Sequence, residues 1–97
     1  MVTKVHESEA LAESTGLPLC PEFVIELRSP TDTLRDVQAK MAEWIANGAQ
    51  LGWLIDPKPR HVYIYRPHTP PERRQNPDTV SADPLLPGFV LDLREIW

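Results

Sequence analysis

The sequence predicts an α/β (α+β) domain built on a mixed β-sheet, and three observations carry that expectation. Two apolar runs, 22–28 and 51–56, have the length and composition of strands buried on both faces. Between them lies a helical period, with Leu34, Val37, Met41, Trp44 and Ile45 on one stripe. A third apolar run, 61–66, follows the second after Pro57-Lys58-Pro59-Arg60, a turn sequence. Strand, helix and strand in succession read as a parallel pair joined by a crossover, and the last two runs as a β-hairpin.

Along the chain, residues 7–15 have helical propensity and stop at Gly16. Leu17-Pro18-Leu19-Cys20-Pro21 is an extended lead-in, because each proline restricts the residue before it. The strand 22–28 closes at Ser29-Pro30. The helix is expected over about 33–46, with Thr31 or Asp32 as its cap and Asn47-Gly48 as its stop. From 67 to 87 the prolines and charges suggest a surface loop with little regular structure, after which 88–93 docks as a short final segment. The expected organisation is one domain over 1–97: an N-terminal helix and lead-in over 1–20, a βαββ core over 21–66, and a Pro-rich loop with a C-terminal segment over 67–97. What covers the sheet face opposite the helix is not evident from these residues.

Composition excludes several classes. At 97 residues the chain holds one small domain at most, and no apolar run approaches the roughly 20 residues that span a bilayer. The N-terminus lacks the apolar stretch of a secretory signal, and one cysteine, Cys20, cannot close an internal disulfide; both agree with a cytoplasmic protein. The three histidines lack metal-ligand spacing, and no phosphate-cradling glycine loop is present. Net charge is −4, unlike a uniformly basic nucleic-acid binder. The charge is uneven, however. Residues 58–74 carry Lys58, Arg60, Arg66, Arg73 and Arg74 against Glu72 alone, whereas the first 26 residues carry five acids against Lys4. One end is suited to phosphates and the other to a cation.

Chemistry is concentrated in the first buried strand. Alternation places Glu22, Val24, Glu26 and Arg28 on one face. Glu26 is a carboxylate within an apolar run, and its burial demands a cation, a hydrogen-bond network or a metal. Arg28 projects from the same side about 7 Å further along. An acid followed at i+2 by a base suits phosphodiester hydrolysis, the acid holding Mg²⁺ and the base acting at the phosphate. A Glu26–Arg28 pair serving only the fold is the alternative.

These residues also carry a family resemblance. Pro21-Glu22-Phe23-Val24-Ile25-Glu26-Leu27-Arg28-Ser29-Pro30-Thr31-Asp32, then Lys40, Asn47-Gly48, Leu51-Gly52-Trp53-Leu54-Ile55-Asp56-Pro57, Val62-Tyr63-Ile64-Tyr65-Arg66-Pro67 and Leu86-Pro87-Gly88-Phe89-Val90-Leu91-Asp92-Leu93 resemble, in order and spacing, the Uma-type restriction endonuclease family of the PD-(D/E)XK nuclease superfamily. The resemblance runs from about 17 to 97 and covers only the C-terminal half of that enzyme. It implies a restriction-endonuclease-like core, a mixed sheet flanked by helices, and Mg²⁺-dependent hydrolysis of DNA. It implies Glu26 as the acid of the (D/E)XK strand and a metal ligand. The lysine of that triplet falls on Arg28, which stays charged and cannot act as a general base. Family members without that lysine carry one on the following helix, a place Lys40 resembles.

The leading Asp of the family lies on an upstream strand that residues 1–16 do not resemble. Glu22 cannot replace it, since it stands about 13 Å from Glu26 on the same strand. The sequence is therefore expected to be a truncated form lacking one metal ligand and some pairing strands. Two functions follow. One is a Mg²⁺-dependent DNA endonuclease using Glu26, Arg28 and Lys40; the other is a catalytically inactive remnant or interaction module that retains the second half of the fold. Homodimerisation through an exposed sheet edge is expected in either case.

Overall fold

The sheet is assembled around two parallel strands whose connection is the amphipathic helix. The computed structural model describes the backbone of Thr3–Lys4 and all of residues 21–97. The elements are β1 (Thr3–Lys4), β2 (Phe23–Leu27), α1 (Leu34–Ala46), β3 (Leu51–Asp56), β4 (His61–Arg66), β5 (Thr69–Gln75), β6 (Thr79–Ser81), β7 (Val90–Asp92) and a closing 3-10 turn, Leu93–Glu95. Among the described residues the main sheet has the order β1-β2-β3-β4-β5, and β6 pairs with β7 in a separate ribbon. Strands β1, β2 and β3 are parallel; β4 and β5 run antiparallel to their neighbours. The mixed sheet, crossover helix and hairpin are those the sequence predicts. The helix expected over 7–15 lies outside the described residues.

Helix α1 begins where Thr33 caps it, its Oγ1 accepting from the Asp36 amide at 3.1 Å. Asp32, one of the two expected caps, instead turns its carboxylate back to the Ser29 amide and hydroxyl, both at 2.9 Å. Thr31, the other, donates to or accepts from the Ser29 hydroxyl at 3.2 Å. The helix ends at Asn47, and Gly48 takes the left-handed turn with φ of 113°. Its expected stripe is the buried one: Val37, Met41 and Trp44 pack on Val24, Leu54 and Tyr65, flanked by Leu34 and Ile45. A methyl at Gly52 would stand 2.6 Å from Met41 Cε, so the bare backbone of β3 is what lets Met41 lie across it.

The opposite face is covered by the C-terminal third of the chain. Phe23, Leu51, Trp53, Ile55, Val62 and Ile64 meet Val80, Ala82 and Leu93, with Phe89, Leu91 and Ile96 around them. Trp53 sits at the centre, edge-on to Phe23 at 4.7 Å and stacked on Phe89 at 6.0 Å. Backbone bonds from Leu93 to Asp78 (2.8 Å) and from Ala82 to Phe89 (2.9 Å) tie this lid together. The sequence reading of 67–87 as an irregular loop is thus corrected by β5 and β6. Strand β5 is Thr-Pro-Pro-Glu-Arg-Arg-Gln, without an apolar residue, so no period of two marks it. It forms because β4 offers a free edge. Strand β2 also differs from a strand buried on both faces throughout, since Leu27 is half exposed.

Pro70 and Pro71 on β5 donate no backbone N–H, and Arg73 is exposed beside them, which blunts this edge against strand addition by a second copy. No helix among the described residues is long and apolar enough to cross a membrane.

Glu72 ties the β4–β5 hairpin, accepting from Arg74 at 2.8 Å and from Arg66 at 3.5 Å. The hydrogen bond from Arg74 and its charge, followed by Arg66, hold the Glu72 carboxyl below its usual range. A carboxylate lowered by folding adds stability above its unfolded value and loses it as acid protonates the folded form. Protection of the β4–β5 amides, corrected for the intrinsic exchange rate at each pH, is therefore expected to fall as pH drops below the ordinary value of 4.5 through the lowered Glu72 value, and this component should be missing in Glu72→Gln.

Candidate functional site

The strand register sets the polar groups of the helix-covered face into two adjacent rows. Glu26 is level with Leu54 and, through it, with Tyr63 and Arg73. One step further towards the strand ends, Arg28 stands beside Asp56, which is level with His61 and Gln75. Of the residues singled out from sequence, Glu26 and Arg28 share this face as alternation requires. Lys40 lies half-buried on α1 beside Met41, whose side chain packs on the same face.

Glu26 has no solvent-exposed surface, and both it and Lys40 are engaged by neighbouring groups. Arg28 does not turn to Glu26. Its Nη1 donates to Asp56 Oδ2 at 2.9 Å, and its Nε to the Asp32 carbonyl at 3.2 Å. The pair is built from a 29% exposed arginine and a 3% exposed aspartate. Arg28 thus presents a fixed positive charge at the end of β2, with one side neutralised by Asp56. A Glu26–Arg28 pair for the fold alone is not what forms.

Asp56 is the site residue that sequence reasoning missed. It closes the apolar run of β3 immediately before Pro57, and alternation puts it on one face with Gly52 and Leu54. Its partner became identifiable only once parallel register brought β3 alongside β2. Replacing Asp56 with alanine is expected to cost about 1–3 kcal/mol, because a half-buried guanidinium loses its charged acceptor. Asp56→Asn keeps an acceptor oxygen and should lose less; comparison of urea midpoints checks the order.

Beyond Asp56, where the parallel strands end, a cleft of about 560 Å³ opens between the β2–α1 connection, the β3–β4 turn and the C-terminus. Arg28, Ser29, Lys58, Arg60 and Trp97 are among its walls. The carboxyl ends of parallel strands are where open α/β sheets place ligands. Asp56 is the acidic side chain in this lining and it is already bound by Arg28, so the side chains of the cleft are net cationic. Glu26 does not line it; it stands one row inward.

Whether these residues suit a hard divalent cation can be judged from the donor set. Among the described residues no group of three His, Cys, Asp or Glu side chains stands together. Mg²⁺ takes one or two carboxylates from a protein and completes its shell with water and phosphate. Glu26 fits as one such ligand, while Asp56 is committed to Arg28. The described residues could thus offer Glu26 to a divalent ion, and they form no closed cage of ligands.

A family model described as "Putative restriction endonuclease" (Uma2) matches residues 2–94. Four solved chains are similar, one of them from Anabaena variabilis and described as a "putative nuclease". It superposes with a TM-score of 0.70 at 29% identity, over 80% of this chain and 44% of that one. The chain thus spans less than half the length of that protein. No curated protein shows significant similarity to it.

Proposed function

Because this chain belongs to the Uma2 family of restriction-endonuclease type, we propose that it acts in Mg²⁺-dependent endonucleolytic hydrolysis of DNA phosphodiester bonds. The observation that carries the reading is Glu26, a carboxylate placed on a buried central strand, one row from a cationic cleft. Glu26 would hold the ion. When bound, such an ion supplies Lewis-acid polarisation of a phosphoryl oxygen and a water of lowered pKa. Arg28, oriented by Asp56 and the Asp32 carbonyl, keeps a positive charge at the strand end, where phosphate charge develops. It cannot take a proton from water. Lys40 adds a second cation from the helix.

The complete burial of Glu26 favours a second reading, in which the second half of the fold serves as an interaction module or remnant without turnover. A ligand whose ion touches substrate must be reachable, and burial denies that unless neighbouring chain moves aside. Calorimetric titration with Mg²⁺ and Mn²⁺, combined with plasmid nicking, separates the two. Metal binding accompanied by nicking supports the nuclease; a folded protein that binds neither ion overturns it and leaves the module.

A further inference from the structure

We propose that the cleft at the carboxyl ends of β2 and β3 is a second phosphate site, in which Lys58 and Arg60 grip a backbone phosphate other than the one cleaved. The proposal rests on the nuclease reading above and adds to it a place where the nucleic-acid strand is anchored.

Three observations support it. The first is uncompensated charge. Arg66 and Arg74 are paired with Glu72, Arg94 with Asp92, and Arg28 with Asp56, while exposed Arg35 and Arg73 do not line the cleft. Among the described residues no carboxylate pairs with Lys58 or Arg60, and both are exposed on the wall of the cleft. In a chain of net charge −4, a local surplus of this kind is what draws a polyanion to one place.

The second is rigidity. Both cations sit on Pro57-Lys58-Pro59-Arg60, where two prolines fix φ and the Arg60 amide closes the turn on the Pro57 carbonyl at 3.1 Å. The Arg60 carbonyl in turn accepts from the Asn76 amide at 2.6 Å, locking the turn to the end of β5. The fixed backbone points both side chains from a common base, so that only their own rotamers are ordered when they meet a phosphate.

The third is backbone strain. Arg60 adopts φ of 59°, the left-handed region that glycine or asparagine occupies at far lower cost. His68 and Asn76 share this region among the described residues, and of the three only Arg60 lines the cleft. Strain of this kind gathers where a side chain is used. Ser29, its hydroxyl donated to Asp32 Oδ2, forms the facing wall, and Trp97, whose Nε1 is held by the Pro77 carbonyl at 3.1 Å, closes the apolar side.

The test is duplex binding by the full chain, measured by fluorescence anisotropy across a salt series. Arg60→Gly removes the cation and relieves the backbone, so its melting temperature is expected to be equal or higher while its affinity falls about tenfold, the worth of one charge-assisted hydrogen bond. The slope of log affinity against log salt should flatten by about 0.9 in Arg60→Gly, and by about twice that in Arg60→Gly with Lys58→Ala, since each lost phosphate contact releases one counterion fewer. Glu26→Gln should retain the wild-type slope. Unchanged affinity and slope in the double variant overturn the second site; if wild-type nicking is seen as well, the nuclease reading survives alone. Failure of the wild type to bind duplex overturns both. Inorganic phosphate that binds tightly and is not displaced by duplex would assign the cleft to free phosphate and overturn the strand anchor.

Discussion

Glu26→Gln is expected to abolish metal-dependent nicking of plasmid DNA while leaving the domain folded. Glutamine keeps the volume and one carbonyl oxygen of the side chain, so the packing around this fully buried position is preserved. What it removes is the negative charge, the property a hard divalent cation requires of its ligand. Loss of a group that only orients a metal's ligand costs about 10–100-fold, and loss of the ligand itself should exceed that range. Heat of Mg²⁺ or Mn²⁺ binding should vanish together with nicking. A Glu26→Gln protein that nicks at the wild-type rate would show that Glu26 belongs to the core alone.

The largest loss of stability is expected from Trp53→Ala. Trp53 is fully buried at the centre of the sheet and joins two elements distant in sequence, Phe23 on β2 and Phe89 before β7. Truncation of a core tryptophan to alanine costs about 3–5 kcal/mol. Small domains have about 5–15 kcal/mol in total, so the variant would retain little. With a denaturant slope near 2 kcal/mol/M, the urea midpoint should fall by about 2 M. Trp53→Phe is the informative control. Among the described residues the indole N–H has no hydrogen-bond partner, so phenylalanine keeps much of the apolar contact and removes an unsatisfied donor. Its midpoint should lie far closer to wild type. Equal losses in both variants would show that ring size alone, and not the stacked aromatic trio, holds the C-terminal lid.

Stability and the cleft are linked through the lid. Residues from β6 to the C-terminus cover the face opposite Glu26 and also bring Trp97 to the wall of the cationic cleft. Loosening the lid should therefore weaken nucleic-acid binding as well as stability.

Local pattern was enough to locate the central elements. Strands β2 and β3 and helix α1 were legible because their apolar residues repeat with the periods that burial demands. The hairpin to β4 was legible from its proline-bounded turn, and Glu26 from its conflict with the apolar run around it. Strand β5 was not legible, because an exposed edge strand carries no hydrophobic alternation and is recruited only by the hydrogen-bonding edge of β4. The cap at Thr33 was misplaced by one or two residues, since Thr31, Asp32 and Thr33 all have capping side chains and the geometry of the turn selects among them.

By itself, then, the order of residues determined the strand–helix–strand core, the face on which Glu26 and Arg28 lie, and the kinship with restriction-type nucleases. Only the folded chain decided that Arg28 belongs to Asp56, that the C-terminal third is the lid over the second face, and that Lys58 and Arg60 meet Ser29 across one cleft. The physical reason is the range of the interactions. Periodicity and turn chemistry act over a few residues and are written along the chain, whereas ion pairs, edge pairing and cleft walls join residues tens of positions apart and exist only after register is set.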